Sequence, residues 1–172
     1  MVLLTWTAGA QAQPKPAFTT ERATFAGGVR YGSENLNLGL GFRGGYTLSM
    51  NLYLGGLFEY WFGESEDFPG GSASASGFDL MFEGGYDFGL TPEFTLRPLG
   101  GIGLFKASGE ACVTDPFGGG ETCTSASNSK AAGSIGGQAL YDVGGFNVGG
   151  ELRLLFADET AALIGANIGA HF

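Results

Sequence analysis

Leu36-Asn37-Leu38-Gly39-Leu40-Gly41-Phe42-Arg43 alternates a large apolar residue with a small or polar one. A period of two is the mark of a β-strand with one apolar face. The pattern returns in Phe78-Asp79-Leu80-Met81-Phe82-Glu83 and in Phe146-Asn147-Val148-Gly149-Gly150-Glu151-Leu152-Arg153-Leu154. Working outward gives eight such segments, at 22–32, 36–46, 50–63, 76–88, 94–106, 129–141, 146–156 and 161–172. Each is about 11 residues long, the length that crosses a bilayer at a tilt of ~45°. Soluble sandwiches use strands of about 5–6 residues. The expected fold is all-β: an eight-stranded antiparallel up-and-down transmembrane β-barrel over residues 22–172, in which closure removes the unpaired edges.

Composition agrees with this reading and removes several others. The chain has 172 residues, of which 33 are glycine, about a fifth against a usual ~7%. That content argues against a helical bundle, because each interior Gly costs a helix about 1 kcal/mol relative to Ala. Aromatic residues make up 13%, too many for a disordered chain. No run of 18 apolar residues exists, so no transmembrane helix is expected. The 8 basic and 17 acidic residues give a net charge of −9 with no basic patch, so nucleic acid is not an expected partner.

Alternation defines two faces, and composition says which looks outward. One face carries Leu36, Leu38, Leu40, Phe42, Leu52, Leu54, Phe58, Tyr60, Phe78, Leu80, Phe82, Leu152, Leu154 and Phe156. The other carries glycines, asparagines and charges of both signs, with few lysines. A narrow lumen of small residues and compensating charges fits the second face, so the first meets lipid. Aromatic residues cluster at both strand ends, as Tyr46, Tyr86, Phe88, Tyr141 and Phe172 on one rim and Tyr31, Tyr60, Phe62 and Phe156 on the other. Short turns at 47–49, 89–93 and 142–145 share one rim, and long loops at 64–75 and 107–128 share the other. Both features are usual in membrane barrels.

The amino terminus reads as an export signal. A short apolar stretch in residues 1–12 ends in Ala10-Gln11-Ala12, a small-x-small cleavage site. The basic region that normally precedes such a stretch is missing, so 1–12 reads as a truncated signal peptide and 13–21 as a periplasmic tail. A strand-like or disordered terminus is the alternative.

On these alternating strands, the Gly-rich inner face and the C-terminal strand Ala162 to Phe172, the chain resembles the OmpA/OmpX-like eight-stranded outer-membrane β-barrels of Gram-negative bacteria. The resemblance covers residues 22–172. It implies insertion in the bacterial outer membrane with both termini in the periplasm. Ile164, Ile168 and Phe172 resemble the signal read by the barrel-assembly machinery, although Ala170 stands where a larger apolar residue is common. Outer-membrane lipid, lipopolysaccharide and the assembly machinery are the implied partners. No peptidoglycan-binding domain follows the barrel in this sequence.

Chemistry is sparse. His171 is the single histidine, and nothing places it with a serine and an acid as in the lipid-modifying barrels, so no enzyme activity is expected. No cofactor or metal pattern is present. Cys112 and Cys123 flank the middle of the longest loop, and in an exported chain a disulfide is expected, with free thiols as the alternative. Arg43, Glu59, Glu83, Arg97, Glu151 and Arg153 fall on the inner face. They are expected to pair as a plug across the lumen, with a gated ion path as the alternative. Gly149 and Asn147 read as lumen positions that tolerate serine. Phe68 and Phe117 are candidate surface contacts in the two loops. The leading expectation is a non-enzymatic barrel with a structural or surface-interaction role through its loops. A narrow pore and a soluble lipocalin-like barrel are the other classes.

Overall fold

The computed structural model describes residues 16–34, 36–114 and 120–172, and all its regular structure is β. The strands are β1 (Arg22–Gly32), β2 (Asn37–Thr47), β3 (Leu52–Trp61), β4 (Ser65–Phe68), β5 (Gly71–Tyr86), β6 (Phe88–Gly89), β7 (Phe94–Thr114), β8 (Glu121–Asp142), β9 (Phe146–Phe156) and β10 (Thr160–His171). Eight of them close a ring in which β1 pairs with both β2 and β10, β2 with β3, β3 with β5, and β5 with β7. The round is completed by β7–β8, β8–β9 and β9–β10. Every ladder is antiparallel, with the short β4 and β6 appended to β5 and β7. The molecule is an eight-stranded up-and-down barrel of the transmembrane kind.

Both described chain ends lie at one rim, called here the terminal rim. Its hairpins are built from local chemistry. In the β8–β9 turn, the Asp142 carboxylate accepts from the Gly144 and Gly145 amides at 2.9 and 3.3 Å. Those two glycines sit at φ 83° and 99°, a region that costs other residues energy.

The apolar stripe faces outward. Leu80, Phe82, Ile102 and Leu152 are 54%, 80%, 75% and 65% exposed, a surface that only lipid satisfies. The register puts alternate residues of each strand on the same face across every ladder.

Two sequence expectations need correction. First, the lumen is not lined by small and polar residues alone. Leu57, Trp61, Met81, Leu155, Leu163 and Ala161 pack together inside, with Leu36 turned in against them rather than outward. Glycine on neighbouring strands makes the room: a Cβ on Gly39 would lie 2.6 Å from the Trp61 ring. Second, residues 107–114 and 121–128 are strand, not loop. β7 and β8 stay in register from Phe94↔Tyr141 to Thr114↔Glu121. Residues 71–75 likewise extend β5, pairing from Gly71↔Val113 onward. Serine, alanine and glycine carry the ladder here without an apolar stripe, so hydrophobic periodicity could not mark them. At the terminal rim, residues 17–21 pack against the barrel, with Thr19 donating to Asp87 and the Glu21 amide to the Thr47 carbonyl. Ala17 and Thr19 are buried in the mouth at the terminal rim.

Candidate functional site

Two regions carry the polar chemistry, the lumen and the sheet that rises above the far rim.

The lumen is filled in three tiers. At the terminal rim, Asp87 follows the end of β5 and is fully buried. It accepts from Thr19 Oγ1 at 2.5 Å and Thr47 Oγ1 at 3.0 Å. Arg97 closes on it with Nε at 2.5 Å and Nη2 at 2.7 Å, while its guanidinium lies 3.8 Å from the centre of the Tyr53 ring.

The middle tier is a charge cluster. Arg43 donates Nε and Nη2 to Glu83 at 2.6 and 2.9 Å. The same guanidinium donates Nη1 and Nη2 to Glu151 at 2.7 and 2.9 Å. Such paired donation is the strong form of this bond. Arg30 reaches Glu151 at 3.2 Å and also pairs with Glu59. Arg153 pairs with Glu59 and lies 3.9 Å from Asp79. Asp79 accepts from Trp61 Nε1 at 3.0 Å, which ties this tier to the apolar one above it. Gln138 donates to Glu151 at 3.3 Å.

The lumen therefore brings Arg43, Glu59, Glu83, Glu151 and Arg153 together. Arg97 belongs instead to the terminal-rim group with Asp87. The balance is not three against three: Arg30, Arg43, Arg97 and Arg153 face Glu59, Asp79, Glu83, Asp87 and Glu151 as buried charges. Arg30 was missed because glycines and alanines blur the alternation of β1. Its parity with Thr24 and Ala26 was the available signal. A cavity of about 10 Å³ beside Arg43, Arg97, Gln138 and Asn167 has room for about one water.

Above the far rim, β5, β7 and β8 continue as a projecting sheet with β4 beside it. Most of its residues are exposed on both faces, so no core lies beneath it. Cys112 and Cys123 are directly opposite in the β7–β8 ladder and are joined by a disulfide. On its other side β8 begins pairing with β9 only at Gly133, so its edge from Glu121 to Ala132 pairs with no strand among the described residues. Phe68, on β4, is 45% exposed, and Phe117 lies outside the described residues.

At the other end of the chain, Ile164, Ile168 and Phe172 are 59%, 62% and 77% exposed on the lipid-facing side of the final strand. The Phe172 backbone exchanges two hydrogen bonds with Ala23, at 2.9 and 3.1 Å, and so takes part in closing the ring. His171 points the opposite way, its ring 5.3 Å from that of Phe18.

No protein-family model and no curated sequence matches the chain. Solved structures do. The attachment invasion locus protein Ail of Yersinia pestis superimposes with a TM-score of 0.62 at 13% identity, over 89% of this chain and 99% of that one. Ail has also been solved in complex with the heparin analogue sucrose octasulfate. Neisserial surface protein A gives a TM-score of 0.56 at 12% identity, over 88% and 96%. The N-terminal β-barrel domain of Pseudomonas aeruginosa OprF gives 0.50 at 17%, over 89% and 98%. At these identities the likeness is one of fold, and the fold is the eight-stranded transmembrane β-barrel.

Proposed function

We propose that this chain is a non-enzymatic protein of the bacterial outer membrane that holds a rigid, disulfide-stapled sheet outside the cell for surface contact. The observation that carries this reading is the continuation of β5, β7 and β8 beyond the last apolar row, with both faces exposed and one edge of β8 unpaired. An open edge is a template for an added strand, so an extended segment of a surface partner is the natural ligand of that side. Both termini are then periplasmic, and residues 1–12 act as an export signal. Ile164, Ile168 and Phe172 serve as the assembly signal. The packed lumen acts as a plug. Its charges are matched against partners, and an apolar layer closes the far side.

Labelling of a Ser125→Cys variant with a membrane-impermeant maleimide tests the orientation. Intact cells should label as fully as lysed ones, and labelling only after lysis reverses the assignment. The Arg153→Ala variant tests the plug. In a planar bilayer the native protein should conduct little and the variant more, because Glu59 loses a partner and water can enter. A large, stable conductance of the native protein would favour a narrow pore.

A further inference from the structure

The outward apolar stripe of β5, β7 and β8 ends at a boundary row, Phe78↔Lys106↔Ser129. Inside the ring the apolar layer ends one residue away on β7, at Phe105, and there it leaves a cup. Leu36, Phe105, Leu155, Ala157 and Ala161 line a recess of about 270 Å³ that opens at the far rim. Leu155 and Ala161 are buried, and Leu36, Phe105 and Ala157 pack on the same cluster as Leu57, Trp61 and Leu163. That cluster closes the floor toward the charged tier, so the cup is a dead end and not the mouth of a channel. Glu34 in the β1–β2 turn and Asp158 and Glu159 in the β9–β10 turn complete the lining. Lys130, directly opposite Phe105 in the β7–β8 ladder, ties β8 to the second turn through Asp158.

The charges around the cup do not balance. Lys130 answers Asp158, whereas Glu34 and Glu159 are exposed and in no ion pair among the described residues. A divalent metal ion needs several oxygens converging on one point, and these three carboxylates are not such a group among the described residues. An inorganic ion would also leave the apolar floor facing water. A neutral apolar body would cover the floor and leave two carboxylates beside it unanswered, and an anion is repelled by them. The ligand that answers both features has a positive charge at one end of an apolar body. Its size follows from the recess, since about 270 Å³ is the share of roughly nine waters and so of about as many non-hydrogen atoms. We propose that the cup binds a small amphipathic cation, an ammonium or guanidinium on an aromatic or short aliphatic body. The body lies on Leu36, Phe105 and Leu155, and the charge stands against the carboxylates of Glu34 and Glu159. This chemistry is independent of which side of the membrane the cup faces. Arrival of the ligand from outside the cell rests on the orientation proposed above.

The test uses the full chain folded in phosphatidylcholine nanodiscs, with binding read by calorimetry and the heats of empty nanodiscs subtracted. The probe is 2-phenylethylammonium, whose size matches the cup. It should bind about tenfold more tightly than 2-phenylethanol, which has the same shape without the charge, because two partly solvated ion pairs together supply about that factor. It should exceed ethylammonium, which has the charge without the body, by a similar margin. Glu34→Gln with Glu159→Gln should remove the advantage of the cation and leave binding of the alcohol unchanged, a split that a merely structural role would not give. Ala157→Leu, which fills the half-buried edge of the cup, should weaken both probes. Added salt should narrow the gap between cation and alcohol. Heat-modifiable migration on gels verifies that each variant is folded. Equal binding of the alcohol, or unchanged binding of the cation in the folded double Gln variant, would overturn the part of the carboxylates and with it the proposal. Equal binding of ethylammonium would overturn the apolar floor. Undiminished binding in folded Ala157→Leu would overturn the cup as the site. Maleimide labelling of Ser125→Cys is independent of every titration, so a wrong orientation and a wrong ligand give different results.

Discussion

Strands β7 and β8 form one uninterrupted ladder, yet its two halves live in different solvents. From Phe94 to Phe105 the outward residues of β7 are Leu96, Pro98, Ile102 and Leu104, and the inward ones include Thr95, Arg97 and Leu99, which are buried. From Lys106 to Thr114 the outward residues are Lys106, Ser108 and Glu110, and Ala107, Gly109 and Ala111 on the other face cover nothing. The lower half is held by closure, lumen contacts and lipid. The upper half is held by its backbone ladder and one disulfide. Backbone pairing is indifferent to side-chain polarity, so the same ladder can pass from hydrocarbon into water. What changes is how much each half loses when a side chain is removed.

The largest effect belongs to the lumen. Arg43→Ala leaves Glu83 and Glu151 without their main donor and should cost about 3–5 kcal/mol. The unfolding midpoint in detergent, read by the heat-dependent gel shift, should fall accordingly. A variant as stable as the parent would mean that the cluster contributes nothing net.

Next comes the lipid-facing wall. Leu152→Arg places a cation on the outward face near mid-strand and should cost about 2–4 kcal/mol, read as lost insertion into vesicles. The same substitution above the boundary row, at Ser127, should leave insertion unchanged. Equal effects at the two sites would erase the boundary.

The disulfide should act locally. Its loop closure is worth about 2–3 kcal/mol in the chain-entropy model. In Cys112→Ser with Cys123→Ser, amide exchange should quicken from 107 to 128 while the barrel midpoint barely moves. A global loss would mean that the projecting sheet supports the barrel.

The smallest effects are expected at Gly149 and Asn147. The sequence reading allows Gly149→Ser freely, but a Cβ there would lie 2.8 Å from the Ala139 carbonyl and 2.8 Å from Asn167 Oδ1. Crowding against backbone should cost about 1–3 kcal/mol. Asn147→Ser, which removes atoms instead, should be milder in the same melting assay.

The sequence was most legible where burial differs between the two faces. β9 is readable because Leu152 and Leu154 flank Glu151 and Arg153, and those charges do point into the lumen. It was least legible above the boundary row, where Ser72-Ala73-Ser74-Ala75-Ser76 offers no contrast between faces. It also failed where size rather than polarity decides, because Trp61 and Met81 turn inward although they are apolar.

Sequence alone determined the strand count, the lipid-facing stripe, the parity of the inner charges and the two cysteines. These follow from the period of two, which is a local property of an extended chain. Tertiary structure decided which charges meet. Arg30 joins Glu151 across 121 positions, and Arg43 joins the same glutamate across 108. It also separated Arg97 from that group, seated residues 17–21 in the mouth, and raised β7 and β8 beyond the membrane boundary. Each of these depends on the register and curvature of the closed ring, which bring together residues that no local period relates.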